Sequence, residues 1–173
     1  GVRYQLAFSL GELPGATPAK ALAASAVRDG ADAWMRVAIL SSSKESGGDL
    51  FTRLANDAAF RVTSHGRIFL TTLATQSGVS GRPGDLAAVL TAVDTTLASD
   101  QALSRAVVSA LLSKMPATAQ AKLTGAGIGK TGMILKGLLT DARAIAADSS
   151  RPADSRAAAV RSLKFAQFNE TQM

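Results

Sequence analysis

Apolar residues in this chain return every three or four positions, in one segment after another, and never alternate with period two for long. Such spacing lines one face of a helix and leaves a strand no face to bury. Leu86, Val89, Leu90, Val93 and Leu97 form the cleanest stripe. Earlier stripes run over Tyr4 to Leu13, through Ala19, Leu22, Ala23, Ala26 and Val27, through Trp34, Val37, Ala38 and Leu40, and through Leu50, Phe51, Leu54, Ala55 and Ala58. Ile68, Phe69, Thr72 and Leu73 form another, as do Leu103, Val107, Ala110 and Leu111. The last two run through Ile134, Leu135, Leu138, Leu139, Ala142 and Ile145, and through Ala159, Val160 and Leu163. Composition agrees: 47% of residues are hydrophobic but only 5% aromatic, the bulk being Ala and Leu, which favour helix over strand.

Start and stop signals fall between the stripes. Thr17-Pro18 offers a hydroxyl cap followed by a proline at the first helical position, Gly30 a stop, and Asp32 and Ser99-Asp100 further caps. Pro116 to Lys130 is the longest irregular stretch. The expected fold is all-α, with about nine helices of roughly 10–17 residues joined antiparallel by short turns.

Several chemistries are excluded at once. With no Cys, the chain forms no disulfide, thiolate zinc site or covalently attached haem, and the single His65 cannot build a histidine-based metal site. No apolar run approaches the roughly 18 residues of a membrane span, and no charged-then-apolar leader opens the chain. The net charge of +6 and a pI near 10.2 are compatible with anionic partners. The Lys and Arg residues are nevertheless scattered rather than clustered.

The stretch Thr124 to Met133, TGAGIGKTGM, imitates a phosphate-binding loop. Gly129-Lys130-Thr131 fits the end of that motif, but Thr124 stands where the first glycine belongs. The polar, proline-bearing residues before it do not form a buried strand, so it reads as a connection before a helix starting near Thr131. Ser41-x-x-Lys44, Ser99-Asp100-Gln101 and Lys130-Thr131-Gly132 follow the order of motifs in penicillin-recognising serine enzymes. Those motifs need a strand under the last of them and an Asn as the third residue of the middle one, where this chain has Gln101. His65 reads as a solvated first-turn residue, and Trp34 as core packing or an interface residue. No catalytic, cofactor-binding or metal residues are expected.

Internal similarity supports a repeat. DAWMRVAILSS (32–42) matches ADSRAAAVRSL (153–163) with Arg36 on Arg156, and VRYQLAFSLGEL (2–13) joins through Arg3, 33 residues before Arg36. These stretches, above all ALAASAVRDGADAWMRVAILSSS (21–43), resemble HEAT repeats. The resemblance implies an α-α superhelix of stacked antiparallel hairpins forming one α-solenoid domain over 1–173. In that family the turn Asp and helix Arg form a ladder between neighbouring repeats, and Asp32 and Arg36 match those positions. In the last hairpin Pro152 replaces the Asp before Arg156.

The order of YQLAFSLGELP, DAWMRVAILSS, LANDAAF, GRPGDL and LLTDARAIAADSSRPADSRAAAVRSL is similar to the HEAT segment of large bacterial envelope proteins. Those proteins carry a sugar-dehydrogenase-like propeller before the segment and often a cytochrome c domain after it. The resemblance implies a middle section of a longer chain, a periplasmic or envelope location, and no cofactor of its own. It implies an interaction module whose second-helix face would present Trp34, Arg36, Arg156 and Arg161 to protein domains. A HEAT-like nucleic-acid binder or base-repair protein is the first alternative, favoured by charge and disfavoured by the shortage of Trp and Tyr for stacking; a compact helical bundle with an internal ligand cavity is the third reading.

Overall fold

A computed structural model of the protein describes residues 5, 9, 17–116, 118–120 and 129–163. The described residues are helical throughout, apart from turns, and include no strand. Contacts divide the chain into two compact units, Gly1–Lys114 and Met115–Met173. The first holds α1 (Thr17–Asp29), α2 (Ala33–Ser42), α3 (Gly47–Asn56), α4 (Ala58–Arg61), α5 (Ser64–Ser80), α6 (Pro83–Asp94) and α7 (Gln101–Ser113). The second holds α8 (Gly129–Ala147) and α9 (Ala153–Leu163), which pack on each other. The stripe expected over Tyr4–Leu13 lies outside the described residues, save for Gln5 and Ser9, both helical.

Short polar side chains set the helix starts. Asp32 accepts from the Trp34 and Met35 N–H groups at 2.8 and 3.0 Å, and Asp100 from Leu103 N–H at 2.9 Å. Thr63 accepts from Gly66 N–H at 3.0 Å, and Asp57 from Phe60 N–H at 2.9 Å. Each satisfies an amide that the first turn would otherwise leave open. Pro83 occupies the first turn of α6, where its missing N–H costs nothing. Gly81 ends α5 with φ 63°, a left-handed conformation that suits glycine, and its N–H donates to Ser77 O.

The core of the first unit is built by Leu22, Ile39, Leu50, Phe51, Leu54, Phe69, Leu70, Leu73, Val89, Leu97, Leu103 and Leu111, all fully buried. Helix α3 packs on both α1 and α6, and α5 packs on both α2 and α7. The pairs α1/α2, α3/α5 and α6/α7 also touch. Direction follows from where the contacts fall. Near the starts of α5 and α7, Arg67 Nη2 donates to Asp100 Oδ2 at 2.8 Å. Near their ends, Gly78 comes so close to Leu111 that an added Cβ would lie 2.0 Å from its carbonyl oxygen. Both contacts join residues 33 apart, so α5 and α7 run side by side in the same direction. Helices α3 and α6 behave alike. Gly48 N–H donates to Asp85 Oδ1 at 2.8 Å by their first turns, and Thr96 Oγ1, just past the end of α6, donates to Oδ1 of Asn56, the last residue of α3, at 3.1 Å.

Hydroxyls along α5 turn back on their own helix. Thr71, Thr72, Thr75 and Ser77 donate to the carbonyls of Arg67, Ile68, Thr71 and Leu73 at 2.7–3.0 Å. The helix therefore satisfies most of its polar side chains without outside partners.

Four expectations are corrected. Trp34 is 73% exposed and takes no part in the core. Ala58 does not continue the α3 stripe, because Asp57 ends α3 and caps the separate short helix α4. The buried face of α5 is Phe69, Leu70, Leu73, Ala74 and Ser77, which leaves Ile68 48% exposed. Leu97 is buried but follows the end of α6, in a turn closed by its N–H donating to Ala92 O at 2.8 Å.

Asp100 caps α7 and also pairs with Arg67, so two substitutions separate its roles. Asp100→Ala is expected to cost about 1–2 kcal/mol, mostly through the lost cap. Asp100→Asn keeps a capping oxygen and loses only a half-exposed ion pair, at a cost of well under about 1 kcal/mol. Urea unfolding followed by circular dichroism measures both.

Candidate interaction surface

The outward face of α2 is unusual for its exposed bulk. Trp34 and Val37, 53% exposed, sit one turn apart, Ser41 continues the same exposed line, and Lys44 is exposed in the turn just beyond the helix. Ala38, Ile39 and Leu40 go inward. The face exists because Asp32 starts the helix two residues before Trp34, and that phase turns the indole away from the core. On α5, Ile68 and Val79 are also exposed, Val79 at 61%.

Arg36 does not share Trp34's outlook. It is half-buried, and its Nη1 donates to Gly30 O at 2.9 Å, clasping the turn that precedes its own helix. In the second unit Arg156 reaches back past the turn to the last turn of α8, its Nε donating to Ala146 O at 3.3 Å. Ser104 repeats the clasp at the equivalent place in α7, donating to Leu97 O at 2.7 Å. These three residues and Arg67 each stand four positions after the residue that precedes their helix: Asp32, Thr63, Asp100 and Pro152. A bond from the arginine of α5 to the capping carboxylate of α7 forms between Arg67 and Asp100. The cap of α5 is Thr63, a hydroxyl and not a carboxylate, and Arg36 bonds to backbone carbonyls instead. The signal for this was present in sequence as the shared spacing Asp32–Arg36 and Thr63–Arg67, with a hydroxyl replacing the acid.

Of the four residues expected on an interaction face, Trp34 and Arg36 lie on α2 of the first unit and Arg156 on α9 of the second. The Arg161 side chain lies outside the described residues. Residues 124–128 of the glycine-rich stretch also lie outside them, while Gly129 already belongs to α8 and Thr131 is buried. Ser41 and Lys44 are exposed at the end of α2, and Asp100 is committed to its cap and to Arg67. His65 is half-buried, its ring edge-on to Phe60 with centroids 5.5 Å apart.

A cleft of about 410 Å³ opens between the ends of α2 and α5 and the starts of α3 and α6. Its floor is Leu40 and Leu73, its wall Val79, and its rim Lys44, Gln76 and Arg82. Sequence reasoning missed it. Its parts come from segments some 36 residues apart, as the contact from Gln76 to Leu40 shows, and the one motif-like piece among them, Ser41-x-x-Lys44, gives no hint of the others. Among the described residues no three His, Asp or Glu side chains gather as a metal ion would require, and no helix is long and apolar enough to cross a membrane. In the second unit, the Asp148 carboxylate accepts from the N–H and Oγ of Ser150 at 3.0 and 2.6 Å, bonds that hold it below the usual carboxylate range.

Comparison with known proteins gives no relative: no family model, no curated protein and no solved structure matches the chain.

Proposed function

We propose that the chain is a stack of helical hairpins of HEAT type, forming one superhelical domain that binds protein domains and carries out no catalysis. The observation that carries this reading is the repeated 33-residue offset by which α5 and α7 run alongside each other, tied at the Arg67–Asp100 pair and the Gly78–Leu111 crossing. Such same-direction neighbours, each one hairpin apart, are what a solenoid requires. The role that follows from the resemblance is a linker between a sugar-dehydrogenase-like propeller and a cytochrome c domain in a larger envelope protein. Any dehydrogenase activity would belong to those neighbours.

Trp34 is the natural anchor for a partner, because a large exposed aromatic gains most from being covered. It is also the single tryptophan of the chain, so its emission reports on that one surface. Adding the domains encoded on either side of this segment is expected to shift the emission to the blue and shield it from acrylamide. Trp34→Ala is expected to weaken binding by roughly tenfold or more. An unaltered spectrum at saturating partner, or coding sequence on both sides without a propeller or a Cys-x-x-Cys-His motif, would remove the linking role.

The net charge of +6 favours the second reading, a nucleic-acid binder. Duplex DNA titrated at low and at physiological salt separates the two. Sub-micromolar, salt-steep binding weakened by Arg36 or Arg156 substitution would promote this second reading.

A further inference from the structure

We propose that the seam between α2 and α5 is a compliant joint, at which the α1–α2 hairpin tilts against the rest of the first unit, and that the exposed ion pair of Arg82 with Glu45 is its latch. Neither a ligand nor the scaffold reading is needed for this, since only the ties among helices of one unit are involved.

Helix α5 is held differently on its two sides. Against α7 it is fixed at both ends, by Arg67 donating to Asp100 at 2.8 Å and by the close approach of Gly78 to the Leu111 backbone. Against α2 the tight contact lies at one end only. There the buried Phe69 ring meets Gly30 so closely that an added Cβ would sit 2.9 Å from its Cε2. Toward their other ends the two helices part, and the cleft of about 410 Å³ opens with Leu40, Ser41 and Lys44 on one side and Gln76, Val79 and Ser80 on the other. The Gln76 amide reaches Leu40 O only at 3.5 Å, the limit of hydrogen-bond range. A close-packed seam resists separation because each void forfeits contacts, whereas one already open loses little by widening. Helix α1 stays packed on α3 and supplies the axis of the tilt.

One stronger tie stands at the rim. Arg82, which precedes α6, donates through Nη1 to Glu45 in the α2–α3 turn at 3.0 Å. Glu45 is 79% exposed, and ion pairs so placed add little stability and weaken as salt rises. Arg82 keeps a partner when Glu45 leaves, because its Nε donates to Asp85 at 2.8 Å. The end of α2 also has something to gain by moving. Its last residue, Ser42, has a buried hydroxyl with no hydrogen-bond partner among the described residues. Such a group is costly, and a tilt that admits water there would satisfy it.

The chain has no Cys, so paired cysteines take nitroxide labels without background, and electron spin resonance reads the distance between them. Ser41→Cys with Ser80→Cys spans the cleft, and Ser80→Cys with Ser113→Cys spans α5 and α7. All three positions are exposed. The cleft pair is expected to give a broad distance distribution, and its mean to lengthen by roughly 2 Å or more with Glu45→Gln or on going from low to high salt. The α5–α7 pair is expected to stay narrow and unmoved under both changes. A cleft pair as narrow as the control and indifferent to Glu45→Gln and to salt would overturn the proposal. Equal movement of both pairs would overturn it too, since the softness would then belong to the whole unit.

Discussion

Gly78→Ala is expected to destabilise the first unit by about 3 kcal/mol or more. Taken alone, the change should help, because alanine is favoured over glycine inside a helix by up to about 1 kcal/mol. Sterics decide the sign. The new Cβ would lie 2.0 Å from Leu111 O and 3.1 Å from Leu111 C, atoms of a helical backbone that cannot swing aside. Helices α5 and α7 would have to part, loosening the buried contacts that Leu70, Leu73, Val107 and Leu111 contribute to the core. Gly84→Ala supplies the contrast, since an added Cβ there meets nothing within 4 Å. It is expected to be neutral or stabilising by up to about 1 kcal/mol. Urea midpoints from circular dichroism compare the two. A Gly78→Ala protein as stable as the parent would mean that α5 and α7 do not cross at this point.

Phe69→Ala should be comparably severe, at about 3–5 kcal/mol. The ring is fully buried and lies 5.8 Å from that of Phe60, centroid to centroid. Its edge also reaches the α1–α2 turn, where a Cβ on Gly30 would sit 2.9 Å from Cε2. One side chain therefore joins α5 to α4 and to the α1–α2 turn. Phe69→Leu, which keeps most of the volume, is expected to cost about 1–1.5 kcal/mol. A loss larger than about 2 kcal/mol for leucine would show that ring shape, not volume, holds the junction. Since a domain of ordinary stability has about 5–15 kcal/mol in hand, the alanine variant should melt far below the parent.

The helices were legible because their caps act locally. Asp32 and Asp100 bond amides two or three residues away, so their effect can be read from neighbouring letters. Trp34 was ambiguous for a related reason: an apolar residue in a first turn looks the same whether it faces core or water. Only the inward turn of Ala38, Ile39 and Leu40 settles its direction. The break at Asp57 was hidden because one Asp both ends a helix and starts the next, and the apolar spacing continues across it. The cleft was beyond reach of the sequence. It depends on Leu40, Gln76 and Arg82 arriving at one place from three segments, and serines and glutamines in such numbers announce nothing.

The self-bonded hydroxyls of α5 also bear on how that helix yields. Thr71, Thr72, Thr75 and Ser77 have each spent a proton on a carbonyl one turn back. Those carbonyls also serve the backbone ladder, and such sharing slackens a helix and lets it bow. The 17-residue rod that lies along α7 therefore carries its own give, spread over two turns rather than placed at a single kink.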